Sequence, residues 1–405
     1  MSTALPRVIF VNRVYWPAQA ATAQLLVDLA EGLAAAGWPV HVIAAGDAAG
    51  PHNGVTVHRT GAGERHGGLV SRLLNYVRFI RGARQLLSEL ILTGDVVVVM
   101  TDPPMLGAAL SGTIQRGGAR AVHWIQDIYP EIVTAHLGVG AMVPLWPLRV
   151  LRDFAWQSAR HCVVLGEAMK KSVTGRNVPA KNISILANWA PRELQLQPTF
   201  AEVAAQRAAW GVADKFVVAY SGNLGRVHEF AAILTAAAIL QSHPEFVFLF
   251  IGAGARFDEV RAEVQAKRLG NVRFLPPEPR ANLAAALAGA DAQLVTLKPE
   301  FAGLVFPSKL AGVLAAGRPV LFVGPPGGEI ARLLVRTPCG AAFAPDDGAR
   351  LALTLQQWHV DPELRRQLGQ RARATYEQHF AFDPALVRWQ ALLLAAGTNR
   401  NSRFA

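Results

Sequence analysis

Short, almost unbroken apolar runs alternate along the chain with longer stretches in which apolar residues return every third or fourth position. Arg7-Val8-Ile9-Phe10-Val11-Asn12 is the first run, and Thr22 to Ala36, carrying Leu25, Leu26, Leu29 and Leu33, has helical spacing. Gly37 stops that helix, and Val40 to Ala44 is the next run. Runs of this kind read as strands buried on both faces, and their order as a βαβ unit. Further strands are predicted at Val55–His58, Val96–Met100, Ala121–Ile125 and Cys162–Leu165. A second series starts at Phe216 and continues through Phe246–Ile251, Val272–Leu275, Ala292–Leu297, Pro319–Val323 and Ala341–Phe343. Strands alternating with helices specify doubly wound parallel sheets. The pattern therefore predicts an α/β chain of two Rossmann-like domains facing across a cleft, with ligands at the carboxyl ends of the strands.

The best linker candidate is Ile183 to Pro191, followed by a polar segment to about Trp210. The expected division is 1–190, 191–380 and a terminal segment 381–405, whose last helix returns to the first domain through Val387, Trp389 and Leu392. The polar tail from Thr398 is expected to be disordered.

Punctuation of the second series brings in chemistry. Phe216 to Tyr220 breaks into Ser221-Gly222-Asn223-Leu224-Gly225-Arg226, and Phe246–Ile251 breaks at Gly252-Ala253-Gly254. Glycine turns after strands let a phosphate approach backbone amides, and a helix N-terminus favours negative charge. Two such turns, with Pro307-Ser308-Lys309 further on, suggest a nucleotide diphosphate. Taken singly, each turn is equally a tight connection; for Lys309, with Pro307-Ser308 before it, an anion contact is favoured over a surface cation at a helix start.

Composition narrows the classes. Of 405 residues half are apolar, and 40 Lys and Arg against 29 Asp and Glu give a net charge of +11, which implies acidic partners. Aromatic and basic residues are not interleaved as on a nucleic-acid platform, so nucleic acid is not expected. No apolar stretch is long enough to cross a bilayer, and Met1 to Arg7 carries no signal pattern. The two cysteines, Cys162 and Cys339, are far apart; a reducing cytoplasm and no metal site are expected. The first turn lacks Gly-x-Gly-x-x-Gly, which argues against a nicotinamide enzyme.

With Tyr15-Trp16-Pro17, Gln126-Asp127-Ile128-Tyr129-Pro130-Glu131, the two glycine turns, and Pro307-Ser308-Lys309-Leu310 running into Leu314-Ala315-Ala316-Gly317, the sequence resembles the retaining GT-B glycosyltransferases of family four. The resemblance is to bacterial members that build cell-surface polysaccharides of the colanic acid or O-antigen kind on a lipid carrier. It implies a nucleotide-sugar donor, mostly a UDP-sugar, held by the C-terminal domain without a metal or other cofactor. Carried over, Gly222, Asn223, Gly225 and Gly252 border the diphosphate, with Arg226 and Lys309 supplying positive charge. The acceptor, a polyprenyl-diphosphate-linked saccharide, falls to the N-terminal domain near Tyr15 and Trp16. One departure stands out: the two glutamates common in the family correspond here to Leu304 and Gly312. That leaves the ribose contact open, with Glu329 either in that role or capping a helix.

Asp127 and Glu131, just past the strand ending at Ile125, are expected as two carboxylates at the cleft rim. The resemblance gives Asp127 a base or stabiliser role; the plainer reading is a helix cap. His123 reads as a half-buried strand residue. Val143 to Trp156, with two tryptophans, and Leu69 to Leu87, with Arg72, Arg78, Arg81 and Arg84, suit an anionic lipid surface and a peripheral position on the inner face of the plasma membrane, or else each packs an apolar face into the core. A UDP-sugar 2-epimerase and a non-catalytic nucleotide-sugar-binding descendant remain as alternatives to a transferase.

Overall fold

The computed structural model describes residues 5–61, 68–138, 140 and 142–398. The chain forms two compact units, one of Met1–Ala187, Gly303–Phe306 and Asp383–Ala405, the other of Asn188–Ala302 and Pro307–Phe382. These limits lie within a few residues of the expected 190 and 380; the new feature is Gly303–Phe306, far along the sequence yet part of the first unit. The tail expected to be disordered lies, after Thr398, outside the described residues.

In the first unit the strands are β1 (Val8–Val11), β2 (Val40–Ala44), β3 (Gly50–His52), β4 (Val55–Arg59), β5 (Val96–Val99), β6 (Arg120–Trp124), β7 (His161–Val164) and β8 (Ile183–Ile185). They stand in the order β3-β4-β2-β1-β5-β6-β7-β8, parallel except for β3. Four successive valines make β5, and all four are buried, as a strand covered on both faces requires. The helices are α1 (Ala21–Ala35), α2 (Leu69–Leu90), α3 (Leu106–Arg116), α4 (Glu131–Leu137), α5 (Met142–Ser158) and α6 (Glu167–Thr174). Right-handed crossovers put α2, α3 and α5 on the same face of the sheet. There Phe79, Leu87, Leu106 and Leu110 pack on Ile9, Val11, Val97 and Val99.

Two expectations need correcting here. Ile183–Ile185, read as linker, is the edge strand β8 hydrogen-bonded to β7. Three residues of Ile-Ser-Ile are too short to show a period, so only pairing reveals them. The polar segment that follows is not a loop either: it contains α7 (Phe200–Ala209), opened by a Thr199–Glu202 capping box and belonging to the second unit.

The second unit carries β9 (Phe216–Ser221), β10 (Phe246–Ile251), β11 (Val272–Leu275), β12 (Ala292–Thr296), β13 (Val320–Val323) and β14 (Gly340–Phe343), all parallel, in the order β11-β10-β9-β12-β13-β14. Its helices are α8 (Ala231–Ile239), α9 (Phe257–Ala266), α10 (Leu283–Ala288), α11 (Lys309–Ala315), α12 (Glu329–Arg336), α13 (Gly348–Val360) and α14 (Pro362–His379). Alternation along β9 and β10 serves two cores: Val218, Tyr220, Phe248 and Phe250 face one, while Val217, Ala219, Leu249 and Ile251 face the other with Trp210. Strand order reverses between β9 and β12, the switch point where such sheets take their ligands.

The last helix, α15 (Phe382–Gly397), is a first-unit element from Asp383 onward. Trp389 is fully buried, with its ring centroid 4.8 Å from that of Trp124 on β6. Arg120 donates to the Gly397 carbonyl and Arg160 to that of Ala395, closing the helix end onto the sheet. The buried stripe is Ala385, Trp389, Leu393 and Ala396. Val387, expected in it, is exposed, and Leu392 is half-buried, because the stripe falls four residues apart from Ala385.

Candidate active site

In the second unit, the turns after β9 and β10 are stitched together by backbone. Gly222 N donates to Ile251 O, Leu224 N to Ala253 O and Arg256 N to Leu224 O. The approach is so close that a Cβ at Gly252 would lie 2.2 Å from the Gly222 carbonyl oxygen, and one at Gly254 would lie 2.3 Å from Asn223 Oδ1. Both glycines also have φ near +145°, at 143° and 148°, where side chains are strained.

Lys309, the first residue of α11, reaches into this knot. Its Nζ donates to Asn223 O at 2.7 Å and to the Tyr220 hydroxyl, and lies 3.9 Å from the centre of the Tyr220 ring. Gly222, at φ +116°, leaves the room: a Cβ there would meet Lys309 Cε at 2.7 Å. No carboxylate among the described residues pairs with this ammonium, and burial pushes its pKa down to about 7. Beside it, His228 is buried with Nδ1 2.9 Å from Thr296 O; burial first, then the Lys309 charge, pushes its pKa down to about 3, so the ring is neutral.

Of the residues expected to hold a donor, Gly222, Asn223, Gly225, Gly252 and Lys309 come together at the switch point. Arg226 is exposed on the turn that follows. The helix expected straight after that turn starts only at Ala231, so the loop reaches the sheet edge before any helix N-terminus is offered. Glu329 opens α12, where a carboxylate complements the helix dipole. Sequence reasoning missed Tyr220 and His228, whose apolar-strand and loop settings carry no motif.

In the first unit, Asp127 follows β6. Burial pushes its pKa up to about 6, and the charge of Asp102 adds to the shift. Asp102, past β5, is held by Arg13 Nε at 3.0 Å, with Arg13 itself just past β1. Asp102 occupies after β5 the position Asp127 occupies after β6, and the same rule would have found it. A small cavity beside Asp127 is lined by His123, Tyr129, Arg152 and Trp156. His123 is 3% exposed, its Nε2 has no partner, and burial pushes its pKa down to about 4; a Cβ on Gly107 would lie 2.5 Å from its ring. The half-buried strand residue expected there is thus a fully buried, neutral imidazole facing the acid's cavity.

Gly303–Phe306 straps this loop. Ile128 N donates to Leu304 O at 2.9 Å, Asp127 forms an antiparallel bridge with Val305, and Leu304 and Phe306 pack against the Ile125, Ile128 and Trp156 cluster. Leu304, where the family resemblance expects an acid, is therefore an apolar anchor. Gly312, the other such position, is buried in α11, where a Cβ would lie 3.4 Å from Leu194 Cδ1.

Glu131 does not stand beside Asp127 as a second reactive carboxylate. Arg152 grips it with Nη1–Oε2 at 2.5 Å and Nη2–Oε1 at 2.9 Å, and Arg149 and Arg176 close on Oε1 at 3.2 and 2.8 Å. Burial opposes its charge, but the Arg152 hydrogen bonds and the arginine charges prevail and hold its pKa below the ordinary carboxylate value. Arg152 also donates to the Tyr129 carbonyl, so this ion cluster fixes the loop that carries Asp127. Tyr15 is corrected as well: it is 1% exposed and cannot meet an acceptor, whereas Trp16 is exposed and stacked on His52 at 4.0 Å. The Asp127 loop can handle a proton near neutral pH; the Lys309 knot can bind an anion.

Known proteins divide the chain in the same two parts. Residues 21–189 match the family described as "Glycosyl transferase 4-like domain", and residues 203–375 match "Glycosyl transferases group 1". Probable glycosyltransferase WbjE of Pseudomonas aeruginosa is 29% identical over 265 residues, covering 65% of this chain and 66% of the relative. Putative colanic acid biosynthesis glycosyl transferase WcaI of Escherichia coli (strain K12) is 29% identical over 205 residues, 49% of this chain and 50% of the relative. The matches thus span just under two thirds and about half of the length of these curated relatives. Among solved structures, Anabaena Alr3699/HepE in complex with UDP and glucose has a TM-score of 0.73 at 16% identity, covering 96% of this chain and 100% of its own. WaaG, a glycosyltransferase involved in lipopolysaccharide biosynthesis, has a TM-score of 0.69 at 15% identity, covering 95% and 99%.

Proposed function

Because the chain belongs to the GT-B glycosyltransferases, through a 4-like domain and a group 1 domain, we propose that it moves a sugar from a UDP-sugar to a lipid-linked saccharide in the making of a surface polysaccharide. The observation that carries the donor half is Lys309, a half-buried cation with no carboxylate partner among the described residues, set between two glycine turns at the switch point. UDP bound in the HepE structure supports the choice of nucleotide.

In this reading the bond from the sugar's anomeric carbon to the β-phosphate oxygen breaks, and UDP leaves with its charge met by Lys309 and by turn amides. The acceptor hydroxyl forms the new bond to that carbon, and its proton passes to the Asp127 carboxylate. The anomeric configuration is retained, and the reaction needs no metal. The exposed apolar faces of α2 and α5 support a lipid-linked acceptor, with the enzyme peripheral on the inner face of the plasma membrane.

The test is turnover of a panel of UDP- and GDP-sugars with membrane lipid extract, following nucleotide release and label entering lipid. UDP release coupled to labelled lipid, unchanged by EDTA and with the donor's configuration in the product, is expected. Isomerised UDP-sugar without labelled lipid would overturn it.

A further inference from the structure

β6 carries His123 on the face covered by α3 and α5. The ring bonds the Ala155 carbonyl on α5, and Nε2 meets no partner among the described residues. A carbonyl only accepts, so Nδ1 carries the proton and Nε2 presents a bare lone pair. The ring has no room to turn away, because it is wedged against the α3 backbone: a Cβ on Gly107 would lie 2.5 Å from both Cε1 and Nδ1. An acceptor buried this deeply is normally met by protein or by water.

What this one faces is the cavity of about 30 Å³ beside Asp127. A water needs roughly 10–15 Å³ and at least two polar partners, and His123 and Asp127 line this cavity together. The charges around it are already engaged. Arg152, from α5, is spent on Glu131, Asp153 and the Tyr129 carbonyl, and Asp102, past β5, is held by Arg13. The wall from α3 is uncharged, and burial keeps Tyr129 in its neutral form.

We propose that His123 is a positioning residue for the transfer: its Nε2 anchors one water that bridges to the Asp127 carboxyl and serves that acid in both of its protonation states. The water always gives one hydrogen to Nε2. While Asp127 is a carboxylate, the other hydrogen goes to it; once the acceptor's proton has arrived, the water's oxygen accepts from the new Asp127 hydroxyl instead. No proton reaches the ring, which burial makes too weak a base to hold one at neutral pH. The carboxyl therefore gains and loses its proton without leaving an oxygen unpaired in either state. An apolar side chain at position 123 would take the anchor away. The inference rests on the proposed role of Asp127 as base and deepens it.

The experiment pairs a crystal structure of the full chain without substrates, at a resolution that shows ordered water, with the kinetics of His123→Leu and His123→Gln. The parent should hold one water within about 3.2 Å of both Nε2 and an Asp127 carboxyl oxygen. His123→Leu should lose it and lower kcat about tenfold, with KM for donor and acceptor unchanged because residue 123 touches neither. His123→Gln, whose Oε1 reaches the place of Nε2, should restore most of kcat. In the Asp127→Asn background His123→Leu should cost nothing further, whereas a merely structural histidine would cost the same in both. A parent without that water, a His123→Leu that turns over as the parent does, or an equal loss in both backgrounds would overturn the inference. Should His123→Leu not fold, the parent's water and the kcat of His123→Gln decide, and a His123→Gln at about a tenth of the parent's kcat or less would overturn it. An Asp127→Asn that turns over as the parent does would instead remove the proposed base, a failure read without any change at position 123.

Discussion

At the end of its sheet each unit holds a half-buried ionisable side chain, an acid in the first and a base in the second, and burial drives both toward the uncharged form. Asp127 rises to about 6 and Lys309 falls to about 7, but their company differs. Asp127 has a second acid, Asp102, nearby, which holds its proton on and makes the site responsive to protons near neutrality. Among the described residues the Lys309 ammonium meets neutral oxygens, an aromatic ring and the neutral His228, so an arriving diphosphate is what would keep it charged. Similar burial thus prepares one site for proton transfer and the other for an anion.

The comparison breaks most sharply at Asp127. Asp127→Asn should lower kcat about 10²- to 10⁴-fold with the thermal midpoint nearly unchanged; a fall in stability with turnover intact would make the residue only a cap. Lys309→Ala should lower kcat/KM for the donor about 10²- to 10³-fold. Intact donor kinetics in that variant would remove the anion site. Glu131→Gln should do the opposite of Asp127→Asn, leaving kcat within a few-fold but lowering unfolding free energy by about 2 kcal/mol, less than for a fully buried pair because Arg149 and Arg176 are partly solvated.

The smallest effect is the most diagnostic. The profile of kcat/KM against pH should be a narrow bell, rising as Asp127 ionises near pH 6 and falling as Lys309 discharges near pH 7. Asp127→Asn should flatten the acid limb of the residual activity, and Lys309→Arg the alkaline limb. Stability should run the other way. Asp127 titrates higher when folded than its ordinary 3.8, so its burial penalty is absent below about pH 4 and complete above 6. Lys309 titrates lower than its ordinary 10.5, so its penalty is complete below 7 and gone near 10.5. These two groups make the protein least stable where it is most active, and melting curves across pH check this.

Legibility in the sequence followed locality. The limits of β2, β10 and β11 are visible in the apolar runs, and the donor loops announce themselves by glycine. β3 and β8 are three-residue strands defined by their partners, not by their own pattern. Glu131 looked reactive because the arginines that neutralise it stand at 149 and 152 on α5 and at 176 in the turn past α6. The apolar Leu304 looked like a lost acid, because nothing local tells that its backbone and side chain serve the loop at Asp127.

That three-segment construction of the first unit has a consequence for synthesis. Domains as a rule fold in the order they leave the ribosome, the N-terminal one first. Here Trp124 waits for Trp389, and the Asp127 loop waits for Leu304 and Val305, so the half translated first is completed last. A stop codon just before α15 would remove only a short end of the polypeptide, yet the damage would fall on the half already made.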